Sequence, residues 1–124
     1  MKTYTEKEQR ENLEGACKAL ESNPKKSIGR MRDNLGGRCC LCVMEDYAIS
    51  IDPDIKKGGS MTPSLDLEGF YGLTRSENLH DSVFVFNFDF KDGVLASECN
   101  DGTAYVKEHT HKEIAARIRE DFLS

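Results

Sequence analysis

The cysteines are the residues whose type and spacing most directly suggest chemistry in this chain. Three of the five lie within four positions, at Cys39, Cys40 and Cys42. A thiolate is a nucleophile and a ligand for soft metal ions, so the cluster predicts either a site or a cysteine-rich part of the core. Neighbouring cysteines point to different sides of a helix or strand, so at most two converge easily. We expect core, with no bound metal and no cofactor, and keep a metal-binding or thiol protein as an alternative.

Distant residues could complete a site of either kind. Zinc takes four sulfur or imidazole ligands in a tetrahedron, and Cys99, His109 or His111 could join the cluster. A nucleophilic thiol needs a base within hydrogen-bonding distance, and Cys40 with one of these histidines is the candidate pair. Arg38 and a neighbouring helix N-terminus would favour the thiolate. No catalytic signature surrounds these residues, so we predict no catalytic residue and no enzyme.

Charge is unevenly distributed along the chain, whose net charge is −5. The residues from Cys39 onward carry 16 acids and 8 bases. Because affinity for nucleic acid rests largely on neutralising phosphates, this acidic part disfavours direct nucleic-acid binding and suits a basic protein partner. The acidic residues that we predict to form the partner-binding surface are Asp52, Asp54, Glu77, Asp81, Glu120 and Asp121.

A short basic segment gives the alternative binding hypothesis. The segment 25–38 contains a single anion and five cations, Lys25, Lys26, Arg30, Arg32 and Arg38. Together with the backbone N–H groups of Gly36 and Gly37, they could hold a phosphate-bearing ligand or nucleic acid. A lone Gly-Gly pair without a nucleotide-binding fingerprint is a weak signal for such a site.

The length of 124 residues predicts a single domain over 1–124. No apolar run approaches the ~20 residues of a membrane-spanning helix. The first eight residues are charged and lack the apolar centre of a signal peptide. We therefore expect a cytoplasmic protein without membrane contact, whose cysteines remain reduced.

Apolar periodicity and capping residues predict several helices. The first is expected over 5–22, where Thr5 and Glu8 form a capping box and Leu13, Ala16, Cys17 and Leu20 share one face. The last is expected over 110–123, with a second capping box at Thr110. Further helical segments are predicted over 27–34, 39–48 and 65–71, with a loop over 52–63.

One segment predicts a strand. Phe84, Phe86, Phe88 and Phe90 alternate with other residues over 82–90, which is the period of a β-strand. The following Lys91-Asp92-Gly93 has the composition of a hairpin turn, and 94–98 is either a return strand or a short helix. The expected fold is therefore α+β, with N- and C-terminal helices packed on a small antiparallel sheet.

The segment Gly37-Arg38-Cys39-Cys40-Leu41-Cys42-Val43 resembles the Gly-x-x-Cys-Cys-Leu-Gly-Val segment of small uncharacterised proteins of phage and prophage genomes. Three further landmarks follow in the same order: 63–73 ending in Gly-Leu, Leu95 to Gly102, and Glu113-Ile114-Ala115 within a helix. Cys42 stands where that family has glycine.

The resemblance implies a phage or mobile-element origin and brings no established activity. We accordingly expect a non-enzymatic accessory protein in the host cytoplasm. Its partner would be a host protein or ribonucleoprotein complex, and an inhibitor of a bacterial defence system, of the anti-CRISPR type, is the most concrete form. A second copy of the chain is a further candidate partner.

Overall fold

Helices make up the regular structure of this protein in the computed structural model, which describes residues 3–23, 25–28, 34–58, 63–74, 76 and 86–124. The α-helices are α1 (Glu6–Glu21), α2 (Cys40–Ile51), α3 (Asp66–Tyr71), α4 (Ala96–Asp101) and α5 (His111–Ile118). A single π-helical turn, Arg119–Leu123, continues α5 to the end of the chain. Within these ranges, no helix is long and apolar enough to cross a bilayer.

Capping boxes begin the first and last helices, as the sequence predicts. The Thr5 Oγ1 accepts a hydrogen bond from the Glu8 N–H, and the Glu8 carboxylate accepts one from the Thr5 N–H. Thr110 and Glu113 repeat this exchange at the start of α5. These contacts satisfy N–H groups that have no partner within the helix, so the sequence alone specifies both starting points.

The other predicted helices have mixed outcomes. The helix predicted over 39–48 is confirmed as α2, and the one predicted over 65–71 is confirmed as α3, which ends at Gly72 with a φ of 70°. The predicted helix over 27–34 is not seen at residues 27 and 28, and 29–33 lie outside the described residues. The predicted loop after α2 agrees with the non-helical residues 52–58, while 59–62 are not described.

Helix α1 lies at the centre, with α2 and α5 both antiparallel to it. Along α5, His111 contacts Asn23, Ala115 contacts Cys17 and Arg119 contacts Glu14. The residue numbers therefore rise along α5 as they fall along α1, which is the pattern of antiparallel helices. Contacts along α2 run Arg38 to Asn23, Tyr47 to Gly15 and Tyr4 to Asp52. Both α2 and α5 therefore begin beside the C-terminal end of α1.

The core is built from the face of α1 that its periodicity predicts, together with the inner faces of the other helices. The buried residues of α1 are Leu13, Ala16, Cys17 and Leu20. Phe70 of α3 and Phe86, Phe88 and Phe90 are almost fully buried against the same cluster. Complete burial of such a side chain contributes about 1.5–3 kcal/mol, so these residues dominate the stability of the fold.

The predicted antiparallel sheet is wrong for the part of the chain that the structure describes. Residues 86–90 are not helical and bury three phenylalanines, but their pairing is limited to one isolated antiparallel bridge between Asp89 and Leu95. Phe84 lies outside the described residues. The predicted return strand over 94–98 does not form, because the Glu98 carboxylate accepts a hydrogen bond from the Leu95 N–H and α4 begins at Ala96. The fold class α+β is therefore replaced by a helical fold.

The alternating phenylalanines pack on a helix instead of on a sheet. Phe88 and Phe90 contact the ring of Phe122, with ring centroids 5.8 and 6.1 Å apart. The guanidinium of Arg117 lies 4.4 Å from the centre of the Phe90 ring. The alternating phenylalanines thus form an apolar face, and this face is covered by α5 and its π-helical turn.

Candidate functional site

A cluster of polar side chains lies where the start of α2, the start of α5 and the end of α4 meet the end of α1. We call this cluster the polar junction, and its members are Asn23, Lys26, Arg38, Asn100 and His111. The antiparallel helices bring them together from positions up to 88 residues apart in sequence. The junction contains the strongest candidates for chemistry that the sequence offers outside its cysteines.

The cations of the basic segment that the structure describes in the junction are held by the fold. The Lys26 Nζ donates to the backbone carbonyl of Asn100 and forms an ion pair with Glu108 at 2.8 Å. Arg38 donates to the Asp46 carboxylate and to the Asn23 side-chain carbonyl. A phosphate would have to compete with these contacts, so the predicted phosphate site gains no support from either residue.

Lys25, the remaining described cation of the basic segment, adds no support for a phosphate site. Its side chain is exposed, and its backbone carbonyl accepts a hydrogen bond from the Arg38 N–H at 3.3 Å. Arg30 and Arg32 lie outside the described residues, so their role as phosphate ligands stays a prediction.

Asn100 links the junction to α2 and has a relative exposure of only 1%. Its Oδ1 accepts a hydrogen bond from the Cys40 N–H at 2.9 Å, and its Nδ2 donates to the Ser27 carbonyl and to the Asp101 carboxylate. A buried amide is tolerated when its donors and acceptor are paired in this way. Asn100 therefore holds the first turn of α2 in place.

His111 is the first residue of α5 and has a relative exposure of 3%. Its Nδ1–H donates to the Asn23 carbonyl, because a carbonyl can only accept. Its Nε2 is buried without a hydrogen-bond partner among the described residues. Burial, reinforced by the charges of Lys26 and Arg38, lowers the pKa of His111. The neutral imidazole is thus the form that the fold accommodates.

The structure does not unite the cysteines and histidines into a metal site. Among the described residues, no three His, Cys, Asp or Glu side chains are arranged to hold a metal ion. The predicted pair of Cys40 with a histidine is also not formed, since the Cys40 Sγ contacts the Ala96 carbonyl at 3.6 Å. The Nδ1 of His109 contacts the Lys107 carbonyl instead.

The expected core role of the cysteines holds for four of the five. Cys17, Cys40, Cys42 and Cys99 are buried, and all five carry thiols, not disulfides. Burial raises the pKa of Cys17 to about 12 and raises that of Cys40 well above its usual range. Cys39 differs because it is only partly buried and forms the N-cap of α2.

Cys39 and Cys42 form a Cys-x-x-Cys pair at a helix start, a relationship that is hidden when the cluster is considered only as adjacent cysteines. The Cys39 Sγ accepts a hydrogen bond from the Cys42 N–H at 3.3 Å. The Cys42 Sγ lies 3.9 Å from the Asp46 Oδ2. The missed signal is the spacing of three residues at the start of a predicted helix.

The predicted acidic surface is only partly available. Asp54 and Glu120 are exposed, whereas Asp52 has a relative exposure of 8% and accepts hydrogen bonds from the Tyr4 hydroxyl and the Asp54 N–H. Asp121 is half-buried and accepts a hydrogen bond from the Lys91 N–H at 2.8 Å. Asp52 is therefore a structural carboxylate and not a surface one. Glu77 and Asp81 lie outside the described residues.

Exposed apolar side chains lie on the segments that form the polar junction. Leu35 is 83% exposed, Tyr105 is 98% exposed and Ile28 is 50% exposed. The Lys26–Glu108 ion pair ties the segments of Ile28 and Tyr105 together. The hydrogen bond from the Arg38 N–H to the Lys25 carbonyl connects the segment that contains Leu35 to the segment that contains Ile28. We call these three residues the junction-end apolar residues.

No protein-family model matches the chain, and neither a curated protein nor a solved structure is significantly similar to it. The resemblance to phage and prophage proteins at Cys39-Cys40-Leu41-Cys42-Val43 therefore stays a prediction. The candidate features are therefore three. The groups of the polar junction bond to one another and to neighbouring residues of the fold, a cysteine pair lies at the edge of the junction, and apolar side chains are exposed on the adjoining segments.

Proposed function

We propose that this protein acts by binding a partner protein and not by catalysis. The observation that carries the proposal is the exposure of Leu35 and Tyr105 beside the polar junction. A single exposed apolar residue is ordinary, but a fully exposed tyrosine on a segment that is bonded to the segments of two exposed aliphatic residues suits an interface anchor. The neighbouring polar groups hold the helices together, so they support this surface without being reactive.

The partner that we propose is a host protein or ribonucleoprotein complex of a bacterial defence system. This part of the proposal rests on the phage-type resemblance of the cysteine segment. A net charge of −5 favours a basic partner, because complementary charge accelerates encounter and disfavours wrong partners. Asp54 and Glu120 are the predicted acidic residues whose exposure suits this steering role.

The test compares two ends of the same molecule. The variant Leu35→Asp/Tyr105→Ser changes the junction-end apolar residues, and Ile51→Ser is the matched control, since Ile51 is 54% exposed at the far end of α2. Each protein is tagged and incubated with host lysate, and the retained proteins are quantified by mass spectrometry. We expect one host protein or complex to be retained by the wild type and the control and lost from the double variant.

Equal retention by all three proteins would place the contact surface elsewhere and overturn the proposed surface. The charge-reversed variant Asp54→Lys/Glu120→Lys then tests the acidic alternative, with slower association as the expected result. The anti-defence role has its own measurement, the plaquing efficiency of a phage on cells that carry the defence system and express this protein. Unchanged plaquing, with the partner bound, would reject inhibition while leaving binding intact.

A further inference from the structure

The start of α2 places two thiols in a geometry suited to a disulfide. Cys39 is the N-cap residue, with φ −72° and ψ 165°, and Cys42 is the third residue of the helix. The Cα atoms of residues three apart on a helix are about 5 Å apart. This separation falls within the roughly 4.4–6.8 Å that disulfides span. The chain therefore needs no large backbone movement to join the two sulfurs.

The hydrogen bond of the cap shows that the Cys39 sulfur already faces its partner. Its Sγ lies 3.3 Å from the Cys42 nitrogen. The Cβ of Cys42 is bonded to the same Cα as that nitrogen, so a change of one side-chain torsion turns the second sulfur toward the first. Such rotamer changes are accessible to a side chain as small as cysteine.

The two thiols differ in accessibility. Cys39 is partly exposed, whereas Cys42 is buried. A dissolved reagent can therefore reach the Cys39 sulfur first, and Cys42 can react only with Cys39 or another internal group. This is the division of roles found in thiol–disulfide exchange, in which one thiol attacks and a second one resolves the mixed disulfide.

A carboxylate lies beside the buried thiol. The Asp46 Oδ2 is 3.9 Å from the Cys42 Sγ, and the same oxygen accepts from the Arg38 guanidinium. The ion pair fixes the carboxylate one helical turn from Cys42. Asp46 can therefore receive the proton that Cys42 must lose before it attacks.

We propose that Cys39 and Cys42 are a reversible dithiol pair that exchanges with disulfides of low-molecular-weight thiols. The Cys39 thiolate attacks one sulfur of the disulfide, whose S–S bond breaks and releases the first thiol after it takes a proton from water. Cys42 passes its proton to Asp46 and attacks the Cys39 sulfur, which releases the second thiol with that proton. Two protein thiols and one external disulfide thus give one intramolecular disulfide and two thiols.

The environment of Cys39 sets how fast this exchange runs. Burial raises the pKa of the Cys39 thiol above its usual range, and the N–H groups at the helix start oppose this only in part. The thiolate fraction at neutral pH is accordingly small. The pair reacts slowly near pH 7 and faster as the pH rises toward and beyond 9.

The experiment uses the folded full chain and oxidised glutathione as the probe. After incubation and acid quench, remaining thiols are alkylated in denaturant, and intact mass and peptide mapping locate the modified cysteines. We expect two of the five thiols to be lost and a Cys39–Cys42 link to be found. Cys39→Ser keeps an N-cap acceptor and abolishes the link, whereas Cys42→Ala accumulates glutathione on Cys39. Cys17→Ala is the matched control and retains the link.

Several results would overturn the proposal. They are a folded wild type that keeps all five thiols over the pH range 7–9.5, a link between Cys40 and Cys99 instead, and a Cys39–Cys42 link that forms only in denaturant. Circular dichroism of each variant checks that it is folded. The time course of the wild type gives the same information without a variant, since glutathione on Cys39 must appear before the link.

Discussion

The ring of Tyr47 lies directly over Gly15, where α2 crosses the outer side of α1. A methyl group placed on Gly15 would be 1.9 Å from the Tyr47 Oη and 2.3 Å from its Cζ. Real atoms do not approach so closely, so any side chain at position 15 must displace the ring. Gly15 is thus required for close packing and not for an unusual backbone conformation, since it sits within α1.

The first prediction tests this contact with a double-mutant cycle. We expect Gly15→Ala to lower the free energy of unfolding by about 1–3 kcal/mol, the usual cost of overpacking. In the Tyr47→Ala background the same change should stabilise by up to about 1 kcal/mol, because alanine is the better helix former. Thermal or urea unfolding of the four proteins gives the coupling. Equal destabilisation in both backgrounds would contradict the packing explanation.

The second prediction concerns the amide that holds the start of α2. We expect Asn100→Ala to cost about 2 kcal/mol or more, because the Cys40 N–H and the Ser27 carbonyl would lose their buried partner. Asn34→Ala is the matched control at an exposed asparagine and should change stability by less than about 0.5 kcal/mol. Urea unfolding measures both. If Asn100→Ala lowered the free energy of unfolding no more than the control does, the hydrogen bonds of Asn100 would not stabilise the start of α2.

The third prediction concerns the buried carboxylate of Glu45. Its Oε2 accepts hydrogen bonds from the Gly58 N–H at 3.0 Å and from the Ser64 N–H at 2.7 Å. We expect Glu45→Ala to cost roughly 3 kcal/mol, since two backbone donors lose their acceptor. Glu45→Gln keeps an acceptor oxygen and should cost distinctly less. Unfolding experiments that rank the two variants in the opposite order would contradict this assignment.

The fourth prediction is a pH dependence that originates at His111. Its pKa is lower in the folded protein than the ordinary value of about 6.5, because burial of the ring, reinforced by the charges of Lys26 and Arg38, outweighs the hydrogen bond to the Asn23 carbonyl, which acts in the opposite direction. The unfolded chain therefore binds more protons in the window below about pH 6.5. Stability is fully present above this window and is lost as the pH falls through it toward the folded pKa.

His111→Gln removes that titration and should flatten the stability profile between about pH 6.5 and pH 5. The wild type in the same buffers is the reference. The measurement is urea unfolding in closely spaced buffers across this range. A wild-type profile that matches the His111→Gln profile would show that His111 does not titrate on unfolding.

Local signals in the sequence were sufficient for the helix starts. Thr5 with Glu8, and Thr110 with Glu113, are three residues apart, and their mutual hydrogen bonds form within one turn. The buried face of α1 follows in the same way from the spacing of Leu13, Ala16, Cys17 and Leu20. These features depend on neighbours a few residues away, so one chain and its periodicity determine them.

Sheet formation could not be predicted from local spacing, because a strand is defined by the neighbouring strand with which it pairs. The alternation at 86–90 correctly indicates that the phenylalanines belong to the core, although the segment is not a strand of a sheet. Whether Val94 and Leu95 continue as a strand depends on competition with the cap at Glu98, which begins α4 instead. Phe122, more than thirty residues away, then covers the phenylalanine face.

By itself, the sequence determined the capped starts of α1 and α5, the core face of α1 and the burial of Cys17, because short-range spacing controls each of them. Only the tertiary structure decided that Asn23, Lys26, Arg38, Asn100 and His111 meet at one end, that Asp52 is buried and that Cys39 alone among the cysteines is accessible. The physical reason is the antiparallel packing of α2 and α5 on α1. This packing brings together residues that are distant in sequence. No local pattern indicates which charged groups it buries or pairs and which it leaves exposed.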